Sequence, residues 1–266
     1  MTPNKKSSIV ILGAGNVSWH LLESFTLAGY DVAQVYGRKP AESDAFEAFG
    51  KTKYITDINK ISPFADIYFI CVYDDAIENV VSSIPFKIGK TQILVHTSGA
   101  QPASILSSYA EHYGCFWPLQ SMTKEAPILS NEIPIIITAS DDETSAELTI
   151  IADAISDHFV TMSERKKQLL HLAAVIINNF TNHLYALTSE YCVENEIDFH
   201  LLSSLIKETS FKAVHYPPSE IQTGPARRND KSVIEKHLSI LENHPDLYKL
   251  YCMFTESIIQ KNQSPK

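Results

Sequence analysis

The chain has 266 residues, of which 44% are apolar and 20% charged, and its net charge is −9. That length suits one large domain or two modest ones, and the composition excludes intrinsic disorder. The negative charge argues against nucleic acid and anionic membrane as general partners.

The first eight residues are polar and basic, and no stretch approaches the roughly twenty apolar residues of a membrane span. A soluble, cytoplasmic protein is expected. Ile9–Leu12 reads as a buried parallel strand. Residues 16–28 read as a helix closed by Gly29, 32–36 as a second strand, and 41–49 as a helix ended by Gly50. Strands at 67–72 and 93–96 follow, then weaker ones at 115–117 and 133–138, a helix at 142–155 and a last strand at 158–162. This alternation with short connections predicts a parallel sheet with right-handed crossovers. Eight of the nine glycines lie at or before Gly114, where tight turns need them.

After Ser163, a candidate N-cap, the pattern turns helical. Residues 164–194 contain neither Pro nor Gly and predict one helix of roughly 45 Å. Further helices are expected at 199–214, ending before Pro217-Pro218, and at 232–242 and 246–260, with a loop at 221–230 and a frayed tail from 261. The expected architecture is α/β. A Rossmann domain with a doubly wound, mostly parallel sheet spans 1–162, and an all-α domain spans 163–266. Cys71, Cys115, Cys192 and Cys252 are scattered without a CxxC pair, so they read as buried free thiols, with no metal expected.

Gly13-Ala14-Gly15-Asn16-Val17-Ser18 follows a strand and opens a helix. Gly13 allows the tight turn, and Gly15 lets a pyrophosphate approach the backbone. The amides of Asn16 and Val17 then lie at a helix start suited to phosphate. Ser18 replaces the third glycine and is still small. At the end of the second strand, Arg38 and Lys39 stand where an NAD-binding protein usually has a carboxylate. They suit a 2′-phosphate, which points to NADP(H). The alternative is a solvated basic turn. Val72-Tyr73-Asp74-Asp75 and Thr97-Ser98-Gly99 end neighbouring strands, so Val72, Asp74, Thr97 and Ser98 should border the cofactor. Asp75 either joins them or caps the next helix.

In the long helix Lys167 and His171 are four residues apart, and His171, Asn178 and Asn182 share a face amid apolar neighbours. Such a polar stripe needs a partner, and a substrate cleft would supply one. Hydride transfer to a carbonyl or imine needs a proton donor, for which Lys167 and His171 are candidates. The alternative is an exposed lysine with a histidine and asparagines satisfied in a core. Arg228 either pairs with Asp230 to brace its loop or faces an anionic substrate. The apolar face of the last two helices suggests a homodimer.

Taken together, the GxGNV loop, the strand-end Arg38, the loop at 72–75, His96-Thr97-Ser98-Gly99-Ala100, Pro118-Leu119-Gln120 and the segment Thr223-Gly224-Pro225-Ala226-Arg227-Arg228-Asn229-Asp230 with His237-Leu238 carry a resemblance. Over nearly its whole length the chain resembles the Rossmann-like DUF2520 proteins, described as NADP or F420-dependent NADP oxidoreductases. These are distant relatives of 6-phosphogluconate and β-hydroxyacid dehydrogenases, ketopantoate reductase and pyrroline-5-carboxylate reductase. Three positions depart from the pattern: Asn229 stands where Gly is usual, Trp117 where a His often precedes the PLQ segment, and Tyr73 where Pro is common. Asn tolerates the positive φ of such a turn.

The resemblance implies an α-domain dimer. It also implies a KxxxN-like motif at Lys167 and His171, with His in place of Asn. A substrate would then sit among Ser98, Gly99, Asn178, Asn182 and Arg228. The expected activity is hydride transfer between NADP(H) and a small carbonyl, hydroxyacid or imine. The alternatives are a non-catalytic NADP sensor and hydride exchange with a deazaflavin.

Overall fold

The computed structural model describes residues 6–124 and 130–263. The residues before 6, and 264–266 of the expected frayed tail, lie outside the described residues. The chain divides into two compact units, 1–174 and 175–266.

The first unit runs β1 (Ser8–Leu12), α1 (Asn16–Leu27), β2 (Asp31–Tyr36), α2 (Ser43–Glu47), β3 (Lys53–Ile55), β4 (Ile67–Ile70), α3 (Ile77–Ser82), β5 (Ile93–His96), β6 (His112–Pro118), β7 (Ile135–Ala139), α4 (Asp142–Ile155), β8 (Phe159–Thr161) and α5 (Glu164–Ala174). The strands form one sheet in the order β3-β2-β1-β4-β5-β6-β7-β8. Every pair is parallel except β6 with β7. The chain turns one way from β1 to β2 and β3, and the other way to β4 and β5. That places a switch point between β1 and β4, where crevices form at the carboxyl ends of strands.

The continuous apolar run of β1 is explained by two cores. Ile9 and Ile11 join Leu21, Leu22 and Phe25 of α1 and Leu148 and Ile151 of α4 on one face. Val10 and Leu12 join Ile77 and Val81 of α3 on the other. A strand covered on both faces has no polar side to alternate with. β3 was not expected, because its three residues are too short to show a pattern. The helix expected at 41–49 is a 3₁₀ turn at Pro40–Glu42 followed by the short α2.

The boundary expected after residue 162 falls after Ala174 instead. Helix α5 belongs to the sheet unit: its Leu170 and Ala174 pack on the cluster of Ala103, Cys115, Trp117 and Ile136, and Lys167 is fully buried. Helical periodicity marks which residues share a face, but not which body that face meets.

The second unit is all helical. It opens with a π-helical turn at Val175–Phe180 and continues through α6 (Thr181–Glu194), α7 (Ser203–His215), α8 (Pro225–Arg228), α9 (Lys231–Ile240) and α10 (Pro245–Gln263). Residues 164–194 are thus helical throughout, as the absence of Pro and Gly permits, but not as one regular α-helix. The loop expected at 221–230 contains α8. Gly224 enters it at φ +98°, and Asn229 leaves it in the left-handed region at φ +53°, the conformation asparagine tolerates. The Asp230 carboxylate accepts from the Val233 amide at 3.3 Å and caps α9. This replaces the expected pairing with Arg228, which makes no ion pair among the described residues.

Candidate cofactor and substrate site

The phosphate loop is built by the meeting of β1, β2 and β4. Gly13 donates its amide to Tyr36 O at 2.8 Å and holds φ +125°. A Cβ there would lie 2.0 Å from Cys71 O, so no other residue fits. Ser18, the third position of the fingerprint, is fully buried, with Oγ 3.5 Å from Cys71 O. A small side chain lets α1 close on β4. At Gly15 a Cβ would meet nothing within 4 Å, which leaves room above the loop. Gly15 is the N-cap of α1, with no side-chain cap and no acidic residue in the first turn. The first amides of a helix have no partner within it. The residues present therefore fit a dinucleotide phosphate. Arg38 is exposed just beyond β2 and makes no ion pair among the described residues.

A cleft of about 530 Å³ opens at the carboxyl ends of the strands, lined by Val17, Val72, Tyr73, Asp74, Asp75, Thr97, Ser98, Gly99 and His171. Asp75 does not cap α3, whose N-cap is Ala76 without a side-chain bond. The Ser98–Gly99 turn is heavily determined. Ser98 Oγ accepts the amides of Ala100 and Gln101 at 3.2 and 3.0 Å, so its own hydrogen stays available. The Ser98 amide donates to His96 Nδ1 at 3.1 Å, and the Ser98 carbonyl accepts the Cys115 thiol at 3.2 Å. Burial pushes that thiol up to about 12, so it stays protonated. A Cβ on Gly99 would lie 2.5 Å from Trp117 and 2.7 Å from His171, whose rings meet edge to face at 5.5 Å. Glycine here lets the indole and imidazole close over the turn.

Beneath the turn lies a buried polar network. Lys167, fully buried, donates to Gln101 O and pairs with Glu164 Oε2 at 3.3 Å. Glu164 Oε1 accepts the Ala103 amide at 2.7 Å and the Thr138 hydroxyl at 2.9 Å. The pair ties α5 to the segment after β5 and to β7. His96 is buried beside it, and burial, then the Lys167 ammonium, push it down to about 4. The ring is neutral at pH 7. Because Nδ1 accepts the Ser98 amide, Nε2 carries the proton.

Of the expected site residues, the first unit brings Val17, Val72, Asp74, Thr97, Ser98, Gly99 and His171 to one cleft, beside the loop of Gly13 and Gly15. Asn16 turns its side-chain amide to Met122 O at 2.9 Å, so only its backbone is offered at the helix start. Lys167 stands apart: it lies under the turn, not in the lining of the cleft, and its ammonium is already bound. Asn178, in the π-helical turn, Asn182, in α6, and Arg228, in α8, are exposed residues of the second unit. Sequence reasoning missed His96, Glu164 and Lys124. The Lys124 ammonium reaches Ala14 O at 3.0 Å across 110 residues of chain, a separation that no local spacing reveals.

Residues 8–99 match the family described as NADP oxidoreductase, coenzyme F420-dependent, and residues 133–258 match the domain of unknown function DUF2520. No curated protein matches the chain in sequence. Among solved structures, a protein from Bacteroides fragilis, provisionally named an NADP oxidoreductase, is 33% identical, with a TM-score of 0.89 over 96% of this chain and 99% of its own. A protein from Thermotoga maritima is 21% identical, with a TM-score of 0.80 over 96% and 100%. A reductive aminase from Aspergillus terreus, in complex with NADPH and ethyl levulinate, is 12% identical, with a TM-score of 0.70 over 97% and 95%.

Proposed function

The chain belongs to the Rossmann-like NADP oxidoreductases, and on that premise we propose that it transfers a hydride between NADP(H) and a small carbonyl, hydroxyacid or imine compound. One observation carries this reading: the phosphate loop and an enclosed turn with a free hydroxyl share a cleft with a single imidazole, that of His171. The cofactor supplies the hydride or accepts it. The amides at the start of α1 would hold its pyrophosphate, and Arg38 and Lys39 its 2′-phosphate. Thr97 and Ser98 line the cleft, and the Ser98 hydroxyl would donate to the substrate heteroatom.

Reduction leaves negative charge on that oxygen or nitrogen, and a proton must meet it. His171 is assigned that transfer. Lys167 is assigned a different role from the one its KxxxN-like spacing suggests. With its ammonium bound to Gln101 O and Glu164, it is a positioning residue that holds the turn beneath the cleft. The exposed apolar residues of the second unit are proposed to meet a second copy of the chain.

The test is NADPH oxidation over a panel of small oxoacids, semialdehydes and cyclic imines, with His171→Ala as control. The variant should lose about 100- to 10,000-fold in kcat while NADPH affinity holds. A variant as active as the parent removes His171 from the mechanism. NADPH binding without turnover of any compound favours a sensor.

A further inference from the structure

The segment after β6 crosses the mouth of the phosphate loop and is latched there. Asn16 Nδ2 donates to Met122 O, and His20 Nε2 lies at hydrogen-bond distance from Thr123 O, both at 2.9 Å. Lys124 follows. Its ammonium lies over Trp19 and Phe46, 5.8 and 4.9 Å from the ring centroids. Its Nζ donates to Ala14 O at 3.0 Å, and among the described residues the carboxylate beside it is that of Glu42, with Oε2 3.9 Å away. That spacing is too long for a hydrogen bond, so among the described residues one of its three donors is spent. Only a quarter of the side chain is exposed, so water answers that need poorly.

The position of this ammonium is informative. Ala14 abuts the end of β2: a Cβ on Gly37 would lie 2.7 Å from the Ala14 methyl carbon and 2.0 Å from Tyr54 Oη. Gly37 directly precedes Arg38, and the Tyr54 hydroxyl is bound to Lys39 O at 3.0 Å. Lys124 therefore stands where the phosphate loop meets the end of β2, beside the two cations already read as the 2′-phosphate site. The pyrophosphate position, at the amides of Asn16 to Ser18, lies one step further along the loop.

We propose that Lys124 is a third cation of the 2′-phosphate site, giving its unspent donors to the phosphomonoester on the adenosine ribose of NADP(H). This rests on the NADP(H) reading of the preceding subsection. Glu42 opposes the phosphate by charge, and Lys124 is divided between the two acids.

The test measures the Kd of NADPH and of NADH for the parent, Lys124→Met, Lys124→Arg and Glu42→Gln. Methionine removes the charge. Lys124→Met should weaken NADPH about tenfold or more and change NADH less than twofold. Lys124→Arg should restore the preference, and Glu42→Gln should tighten NADPH a few-fold. An equal loss for both cofactors, or no loss, overturns the assignment, because a pyrophosphate or purely structural role is blind to the 2′-phosphate. Should Lys124→Met fail to fold, an unchanged NADPH affinity in Glu42→Gln overturns it. A parent protein that binds NADH as tightly as NADPH defeats the NADP(H) reading itself. A parent that prefers NADPH, with a Lys124→Met variant that keeps the preference, defeats only the role of Lys124.

Discussion

The two units bury their apolar residues in different degrees. The sheet unit encloses two cores, one on each face of β1, with Ile9, Val10, Ile11 and Leu12 all fully buried. In the helical unit Cys192 and Ala226 are the only buried apolar residues among those described, while Ile177, Phe180, Leu201, Leu205, Phe211 and Val214 are exposed. Burial of apolar surface is the main favourable term in folding, and large exposed apolar patches mark interaction surfaces. The first unit covers its own apolar faces, and the second leaves many of its apolar residues open. That asymmetry is the support for a second copy of the chain against the helices.

The largest effect is expected at Lys167, a fully buried cation of the sheet unit paired with the partly exposed Glu164. Lys167→Met leaves Glu164 without its cation, and about 3 kcal/mol of the stability of the sheet unit should go. This is the low end for a severed buried pair, since Glu164 keeps some solvent contact. Denaturant unfolding checks it. A variant as stable as the parent would show that the pair does not hold the turn.

A smaller effect comes from His96. Its folded value, about 4, lies below its ordinary 6.5. Between those limits the unfolded chain binds more protons, so stability rises with pH and is lost as pH falls from 6.5 toward 4. By pH 5 the loss should reach about 2 kcal/mol. His96→Asn should flatten that window in unfolding curves measured across it. A parent equally stable at pH 7 and pH 5 would show that the ring is not held neutral by burial.

The smallest effect sharpens the other side. A charge on the uncovered face, Leu205→Glu, should weaken self-association about tenfold or more, the worth of one buried leucine. Sedimentation at several concentrations reads it. The sheet unit should unfold as before. A parent that is monomeric at every concentration would remove the second copy from the account.

Much of the cofactor site was legible in contiguous residues. Gly13, Gly15 and Ser18 sit between a strand and a helix, and the structure gives each the role its size allows. The turn at Ser98-Gly99 was also legible, because it ends a buried strand at the same edge. Asn229 at positive φ was anticipated from its side chain alone. Lys167 was not legible. A lysine four residues before a histidine looks the same whether the ammonium faces a cleft or a carbonyl beneath it. Trp117 was noticed as a departure, but its partners Gly99 and His171 appear only when β6 and α5 are brought together.

The sequence by itself determined the α/β order, the phosphate loop, the basic end of β2 and the helical second half. Each is a local pattern of period, size or turn chemistry, carried by neighbours in the chain. Only the tertiary structure decided that α5 belongs with the sheet and that Lys167 and His96 lie buried under the turn. It alone brought Lys124 to Ala14 across 110 residues. The physical reason is that burial and pairing depend on what covers a face, and the covering groups come from distant parts of the chain.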